Sequence, residues 1–309
     1  MQTTKQTPGL RCAATDYVTL VQQAIHKVTG FEQLYKDLER TINISGKSIS
    51  TLTNYSRQLA HLALHYQQLP TELDSEQVLD YLHLVKSKGS PSATFFKFTV
   101  YGMRYACKMR GLPYQQFSLP VMAREQKIPV VLNAQEVKAL IHACELLKHK
   151  LLLSLCYGCG LRCAEVRSLR IGDVDTVRAM IHVRQGKGKK DRMLPMGAML
   201  ARGISNYIQA ENPRTYLFEG HDGNVYSQRG AQWAIAQAVK KAGIAKAVTL
   251  HTLRHTYATH LLEQGINILT IKELLGHAHI ETTMVYLHLA RPSANLAFSP
   301  MDTLYNKAK

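Results

Sequence analysis

The sequence predicts a mainly α-helical protein of two domains, with one small β-hairpin in the second domain. Three observations support this fold class. Apolar residues recur at helical spacing through most of the chain, and they alternate as in a strand only around residues 180–195. A proline-containing stretch without any period, residues 113–129, separates the two helical regions. A chain of 309 residues is long enough for each region to bury its own core.

Composition and charge narrow the class of partner. A hydrophobic fraction of 46% with 19% charged residues is typical of an ordered globular protein. The formal net charge of +16 favours a polyanionic partner, of which nucleic acid is the commonest. Basic residues exceed acidic residues in both halves of the chain, so both halves are able to contact the same phosphate backbone.

The spacing of the cysteines and the composition of the first residues indicate which cellular compartment to expect. The six cysteines do not have the spacing of a disulfide framework, and residues 1–15 lack the apolar segment of a signal peptide. No apolar run reaches the roughly 18–20 residues that a membrane span needs. We expect a cytoplasmic protein with reduced thiols and no membrane partner.

A flexible arm, residues 1–15, is predicted to precede a helical domain at residues 16–116. The first predicted helix runs from Asp16 to about residue 40. Ser48 or Ser50 is a candidate N-cap for the second helix and Thr71 or Asp74 for the third, and a further helix begins at about Ser92. The sequence therefore predicts four helices in this domain.

The last of these helices, about residues 92–109, mixes aromatic with basic side chains. Four basic residues at its end or along it are predicted to bind DNA: Lys97, Arg104, Lys108 and Arg110. Lysine and arginine neutralise phosphates without reading sequence. The same pattern also fits a core helix whose charges form its solvated face, and the sequence leaves both interpretations open.

Residues 117–131 are predicted to be a linker, because they combine prolines with no clear period. A linker between two basic domains would let them close around a duplex as a clamp. The second domain, residues 132–290, then opens with a helix that Asn133 caps, and Glu136 completes a capping box. A tail of residues 291–309 follows this domain.

Further elements of the second domain follow from changes of period. Apolar helices are predicted at residues 151–157 and from residue 161, separated by Gly158 and Gly160. Alternating runs at residues 180–184 and 192–195 flank a lysine-rich turn, which predicts a β-hairpin. Helices return at residues 200–208, 228–242 and 251–288, with breaks at Gly265 and Gly276.

The segment from residue 251 to residue 288 carries the densest set of reactive side chains. It contains His251, Arg254, His277 and Tyr286 among apolar residues at helical spacing. Two imidazoles, a guanidinium and a phenol suit one reaction well, in which a phosphodiester is held and attacked by the phenolic oxygen.

Cleaving a phosphodiester without a metal requires donors for the non-bridging oxygens, an acid for the leaving oxygen and a nucleophile held in line. Arg162, Arg254 and His277 can hold the oxygens. Lys187, at the tip of the hairpin, can act as the acid, and His251 can act as a base or an orienting donor. Tyr286 supplies the nucleophilic oxygen, with Tyr207 and Tyr257 as rival phenols whose apolar surroundings indicate core positions.

The main alternative interpretation of the histidines and cysteines is that they bind a metal ion. His251 and His255 have the spacing of a zinc pair, but only His260 and Glu263 lie nearby as further ligands. Cys156, Cys159 and Cys163 lack a partner pair. We therefore predict no metal and no cofactor.

The order of these residues resembles the phage-integrase type of tyrosine recombinase. GLRCAEVRSL, residues 160–169, is similar to the first box of that family, and Gly186–Lys189 to its hairpin lysine. Residues 251–260 resemble the second box, and residues 274–286 the last. The resemblance covers about residues 130–290. The first domain resembles the helical core-binding domain of that family only in length, helix content and position.

The resemblance implies a catalytic set and a nucleophile. The set is Arg162, Lys187, His251, Arg254 and His277, with Tyr286 as nucleophile. Glu165 and His255 are expected to be supporting neighbours. Lys189 and Lys190 are predicted to bind DNA at the hairpin tip, and Lys189 is also the alternative to Lys187 as the acid.

The expected activity is site-specific cleavage and rejoining of double-stranded DNA through a 3′-phosphotyrosyl link, without metal or ATP. The resemblance implies a homotetramer on two DNA sites. Two alternatives remain: a relaxase similar to type IB topoisomerases, and a catalytically silent DNA-binding regulator of the same fold. The prolines of residues 291–309 leave room for only a short helix as a subunit contact, and this unusual tail slightly favours a mobile genetic element.

Overall fold

A computed structural model describes residues 19–119, 128–184 and 191–290. The fold is mainly helical with one small sheet, as the sequence predicts. The chain divides into two compact units, Met1–Glu125 and Gln126–Lys309. In the described ranges, no helix has both the length and the apolar character needed to cross a membrane.

Between residues 19 and 119 the first unit has five helices. They are α1 (Leu20–Lys27), α2 (Phe31–Ile44), α3 (Ile49–Tyr66), α4 (Ser75–Lys88) and α5 (Ala93–Met109), with a 3-10 turn at Pro70–Glu72. The prediction of one helix from Asp16 to about residue 40 was wrong, because Gly30 adopts a φ of +81° and separates α1 from α2. The start of that predicted helix, residues 16–18, and the predicted arm lie outside the described residues.

Local capping chemistry sets the starts of the later helices. The side chains of Ser48 and Asp74 accept hydrogen bonds from backbone amides at the starts of α3 and α4, as predicted, and the side chain of Ser92 does the same at the start of α5. Phe117 is buried in the core of this unit and Leu119 packs against it, although both fall within the predicted linker. Residues 120–127 of that linker lie outside the described residues.

The second unit consists of short helices around a buried apolar core. They are α6 (Ala134–His142), α7 (Leu147–Gly158), α8 (Cys163–Arg167), α9 (Ala198–Glu211), α10 (Gln228–Lys241), α11 (Leu250–Glu263), α12 (Ile268–Leu275) and α13 (Glu281–Met284). Three 3-10 turns occur at Ile171–Asp173, His221–Gly223 and Val285–His288. The predicted capping box of α6 is present, since Asn133 and Glu136 exchange backbone-to-side-chain hydrogen bonds of 2.8 Å.

A three-stranded antiparallel sheet contains the predicted hairpin. Its strands β1 (Val174–Asp175), β2 (Met180–Val183) and β3 (Arg192–Pro195) lie in that order, with Ile181 paired to Leu194. The two-residue strand β1 was not predicted, because it is too short to show a period. The hairpin tip, residues 185–190, lies outside the described residues.

Helix α11 lies at the centre of the second unit and packs closely on α7. Residues from Thr252 to Thr259 are buried on it, apart from His255, which is half-buried. A hydrogen bond of 3.1 Å from the Leu132 amide to the Thr256 hydroxyl ties the start of the unit to this helix. Side chains of α11 are therefore held by packing on several sides.

Candidate active site

Arg254 is the buried centre of the site. Its Nη1 donates to the Gly160 carbonyl and its Nη2 to the Leu275 carbonyl, both at 2.6 Å. Burial, together with the neighbouring Arg162, lowers the pKa of the Arg254 guanidinium to about 10, which still leaves it charged at neutral pH. Its Nε is buried and has no hydrogen-bond partner among the described residues, a situation that costs about 1–3 kcal/mol.

Gly160 presents its carbonyl to Arg254 from a conformation that only glycine adopts easily. Its φ is +61°, and a Cβ added there would lie 2.4 Å from Cδ1 of Tyr257. Tyr257 therefore packs where any side chain at position 160 would have to be. The glycine that opens the first box is thus required by the close approach of α11.

Glu165 joins the other two guanidiniums of the site. Nη1 of Arg162 donates to Oε1 at 2.7 Å, and the Arg162 amide donates to Oε2 at 2.8 Å. Arg192 binds both oxygens, with Nη1 at 3.0 Å from Oε1 and Nη2 at 2.8 Å from Oε2. Burial by itself raises the pKa of Glu165, but the hydrogen bonds from Arg192 and Arg162 outweigh it and lower the pKa to about 2.

Three guanidiniums also meet three successive carbonyls at the C-terminal end of α12. Nε of Arg192 donates to Leu274 at 3.0 Å, Nη2 of Arg254 to Leu275, and Nη2 of Arg162 to Gly276 at 3.2 Å. Carbonyls at a helix end lack partners within the helix and carry partial negative charge. The end of α12 therefore collects three positive charges in one place.

His277 follows this helix end directly. Nη2 of Arg254 lies 3.1 Å from Nε2 of His277, and Nδ1 of His277 lies 2.9 Å from the hydroxyl of Thr283. A guanidinium can only donate, so Nε2 accepts in this contact and the ring proton is on Nδ1, where it can be donated to Thr283. The orientation of His277 is therefore set from both sides.

Tyr286 lies in the 3-10 turn Val285–His288 and is 2% exposed. Its hydroxyl is 3.0 Å from Nδ1 of His255 on α11. Burial raises the pKa of Tyr286, and the charges of Arg254 and Arg162 offset part of that rise. The phenol is therefore protonated at neutral pH.

His255 and His251 lie one turn apart on α11, with ring centroids 4.3 Å apart. Burial lowers the pKa of His255 to about 4, with smaller contributions from His251 and Arg254. Partial burial and the charges of Arg254 and Arg162 lower the pKa of His251 as well. Both imidazoles are therefore neutral at pH 7.

Seven of the predicted site residues come together in this region. They are Arg162, Glu165, His251, Arg254, His255, His277 and Tyr286. Lys187, Lys189 and Lys190 lie outside the described residues. The described base of their hairpin carries a contact of 3.1 Å between Nε2 of His182 and Oδ2 of Asp191.

Two contacts were missed by the sequence reasoning. Arg192 was read only as part of a strand, although it lies on the same strand face as the buried Leu194, and an inward-facing arginine needs an anion. His255 was expected only as a supporting neighbour, whereas it contacts the hydroxyl of Tyr286. The rival phenols Tyr207 and Tyr257 are buried in apolar clusters, as predicted.

The predicted DNA-binding residues around α5 differ in their contacts. Arg104 donates to the Phe117 carbonyl, and Nη1 of Arg110 lies 3.4 Å from the Thr71 hydroxyl. Lys108 is exposed and Lys97 is half-buried. These contacts favour a structural role for the two arginines, while the two lysines remain predicted DNA contacts.

Across residues 19–119, 128–184 and 191–290, no group of three or more histidine, cysteine, aspartate or glutamate residues is placed to hold a metal ion. The cluster described above contains cationic donors, neutral imidazoles and one buried phenol. Such a cluster is able to bind a phosphodiester and present an oxygen nucleophile to it.

Comparison with known proteins agrees with this arrangement. A profile of the phage integrase family matches residues 130–292. The chain is 32% identical over 280 residues to a tyrosine recombinase of Thermosipho africanus, covering 89% of this chain and 93% of that protein. It is 32% identical over 248 residues to the tyrosine recombinase XerA of Pyrococcus horikoshii, covering 79% and 85% of the two chains.

A solved structure supports the same assignment at the level of the fold. The post-cleavage complex of the XerH site-specific recombinase bound to palindromic difH substrate is similar, with a TM-score of 0.67 and 19% identity. This likeness covers 88% of this chain and 84% of that one. The chain belongs to the phage integrase family and is a tyrosine-type site-specific DNA recombinase.

Proposed function

We propose that this protein cleaves and rejoins duplex DNA through a 3′-phosphotyrosyl intermediate on Tyr286, without a metal ion or ATP. The observation that carries the proposal is the convergence of Arg162, Arg254 and His277 at the end of α12, in the same cluster as the buried Tyr286 hydroxyl. This arrangement offers fixed positive charge where a pentacoordinate phosphate would gain negative charge.

The two arginines would act on the non-bridging oxygens. Arg162 is one-fifth exposed, with 21% of its side-chain surface accessible, so part of its fork can reach a bound phosphate. Arg254 supplies a buried charge behind it. Because Glu165 and helix carbonyls already hold these groups, little reorganisation is needed when the phosphate binds.

The chemical step conserves the energy of the phosphodiester. The Tyr286 oxygen forms a bond to phosphorus while the bond from phosphorus to the 5′ oxygen breaks. The leaving oxygen takes a proton from Lys187, with Lys189 as the alternative acid, and becomes a 5′-hydroxyl. A 5′-hydroxyl from a second strand then reverses the step, so rejoining needs no ATP.

The protein would act on double-stranded DNA as a homotetramer that joins two sites. In this proposal residues 16–116 bind the core of the DNA site, residues 132–290 carry catalysis, and residues 291–309 contact a neighbouring subunit. Lys97, Lys108 and Lys190 would contact phosphates. XerH in the similar structure is bound to its difH substrate, which supports DNA as the partner.

Covalent trapping tests the nucleophile. Wild-type protein mixed with DNA from the flanks of its own gene and quenched in detergent should leave a protease-sensitive adduct, whereas Tyr286→Phe should leave none. Tyr157→Phe is a matched control, because Tyr157 is also partly buried and bonded to a histidine of α11, at 3.0 Å from His260. That control should retain the adduct.

Other outcomes would separate the alternatives. An adduct that persists in Tyr286→Phe would contradict the proposal, because another residue would then be the nucleophile. Wild-type protein that relaxes supercoiled DNA without a specific site would favour a topoisomerase. DNA binding by wild type, with no adduct on nicked fragments from the whole genome, would favour a silent regulator.

A further inference from the structure

Building on the proposed function, we infer that His255 accepts the proton of the Tyr286 hydroxyl as that oxygen attacks the phosphodiester. The two residues lie 31 positions apart in the chain, and the packing of the 3-10 turn Val285–His288 against α11 brings them into contact. His255 thereby touches a reacting atom, which is the condition for a catalytic role.

The geometry fits a proton transfer. Nδ1 of His255 lies 3.0 Å from the Tyr286 oxygen, within the reach that a general base requires. Tyr286 is 2% exposed, so bulk water has little access to its hydroxyl. His251 makes an edge-to-face ring contact with His255.

The protonation states also fit. The buried phenol holds its proton at neutral pH, so that proton has to leave during the attack. His255 is neutral and can take it, provided that Nδ1 is bare and Nε2 carries the ring proton. A neutral base beside a neutral nucleophile also avoids placing a further positive charge among three arginines before DNA arrives.

Binding of DNA would make His255 a stronger base. The charged and titratable groups around it are His251 and Arg254 on its own helix and Tyr286 on the facing turn, with Arg162 ahead of α8 and His277 after α12 in the same cluster. A phosphodiester held by Arg162 and Arg254 brings a negative charge that offsets theirs. The base is thus weakest in the free protein and strengthens when the substrate is in place.

The step balances in both directions. In cleavage, the bond from the Tyr286 oxygen to phosphorus forms, the bond to the 5′ oxygen breaks, and the phenolic proton moves to Nδ1 of His255. The 5′ oxygen receives its proton from the acid of the proposed function. In rejoining, His255 returns its proton to the Tyr286 oxygen as that oxygen leaves phosphorus.

His255→Asn separates proton transfer from positioning. An asparagine places an amide oxygen or nitrogen where Nδ1 lies, so it can still hydrogen-bond the phenol, but it does not accept a proton near neutral pH. His260→Asn is the matched control, because His260 also lies on α11 and its Nδ1 makes an equivalent contact of 3.0 Å to the hydroxyl of Tyr157 on α7. The readout is the single-turnover rate of adduct formation on a nicked substrate from about pH 6 to about pH 8.

Wild type and His260→Asn should have similar rates and a much shallower dependence on pH than His255→Asn, because a neutral His255 takes the proton of the phenol. His255→Asn should be slower at pH 7 by roughly 10²–10⁴-fold, the usual contribution of a general base. Its rate should rise about ten-fold per pH unit, because the reaction then depends on the small fraction of phenolate. Tyr286→Phe should give no adduct at any pH.

Several results would overturn the inference. One is a His255→Asn rate equal to or above that of wild type, which would mean that the amide replaces all that the imidazole does. Another is a slower rate that stays flat with pH, which would mean that His255 positions the phenol and does not take its proton. Wild type alone provides a test that does not depend on folding of a variant: a ten-fold rise per pH unit in its own rate would show that no neutral base takes the proton. If wild-type protein forms no covalent adduct at any pH, that result would instead contradict the proposed function.

Discussion

At the scale of single residues, Glu165 determines how the arginines of the site are held. The pKa of Glu165 is lowered from 4.5 to about 2, so the ionised carboxylate stabilises the fold fully when the pH is above the pKa of the unfolded state, 4.5. A difference of this size corresponds to about 3 kcal/mol at neutral pH. That stabilisation is lost as the pH falls from about 4.5 towards about 2, where the folded carboxylate takes up a proton.

Glu165→Gln should therefore lower the free energy of unfolding at pH 7 by about 3 kcal/mol. The difference from wild type should shrink as the pH falls towards about 2–3, since wild type then loses its own carboxylate. Urea unfolding at the two pH values measures this change.

Glu32→Gln provides the control for this measurement. Glu32 pairs with Lys36 on the surface of α2, and exposed pairs of this kind contribute little to stability. The Glu32 variant should match wild type at both pH values. An equal loss of stability for Glu165→Gln at both pH values would show that the effect comes from packing and not from charge.

That the candidate site residues lie close together was predictable from the sequence, but their individual contacts were not. Arg162, Arg254, His277 and Tyr286 occur in motifs of fixed order, so their grouping could be predicted. The contact between His255 and Tyr286 depends on how a turn packs against α11, which no local pattern records. Arg192 was missed for the same reason, since its partners lie on α8 and at the end of α12.

At the scale of elements, helix starts were predicted well because capping is local chemistry. Ser48, Asp74 and Asn133 each bond an amide within three residues, so the sequence alone contains the signal. The break at Gly30 was missed because α1 and α2 share a continuous apolar period across it. The strand β1 was missed because its pairing with β2, and not its own composition, defines it.

Arg192 links three elements, and its replacement should affect catalysis more than DNA binding. Its side chain ties β3 to Glu165 on α8 and to the Leu274 carbonyl of α12. Removing one partner of a buried pair commonly costs about 3–5 kcal/mol, so Arg192→Gln should be strongly destabilised. Arg192→Lys should fold but cleave more slowly, because lysine cannot supply three donors in a planar fork.

Single-turnover cleavage and a gel-shift dissociation constant, measured on the same substrate, test this expectation. Arg178→Gln is the control, because the Arg178 side chain is exposed and its Nε lies 3.9 Å from the Asp175 carboxylate. The Arg178 variant should match wild type in both assays. A loss of DNA affinity by Arg192→Lys without a loss of cleavage rate would contradict the linking role.

At the scale of the whole molecule, the mainly helical fold and its single hairpin were predictable because each depends on period. The net charge of +16 indicated a polyanionic partner, since net charge is also a property of the sequence alone. Net charge alone did not show which basic side chains are free of internal partners and able to contact DNA. Arg104 and Arg110 have internal partners, whereas Lys108 is exposed to solvent.

DNA affinity should therefore fall steeply with salt, and the slope should report which residues contact phosphates. Each phosphate contact contributes about 0.9 to the slope of log affinity against log salt. Replacing both Lys97 and Lys108 with glutamine should reduce the slope by about 2. Replacing Arg110 with glutamine should leave it unchanged, and fluorescence anisotropy over a salt series measures both. An unchanged slope in the lysine double variant would remove these residues from the DNA contact.

The end of α12 also constrains how this protein can vary. Its last carbonyls are bonded by arginines from three different parts of the unit, namely β3, α11 and the residue before α8. One inserted or deleted residue in α12 would turn the helix end by about 100° and aim all three carbonyls elsewhere. Substitutions on the exposed side of α12 leave these bonds intact, so its surface is free to change while its length is not. We therefore expect the length of α12 to be constrained more strongly than its surface residues.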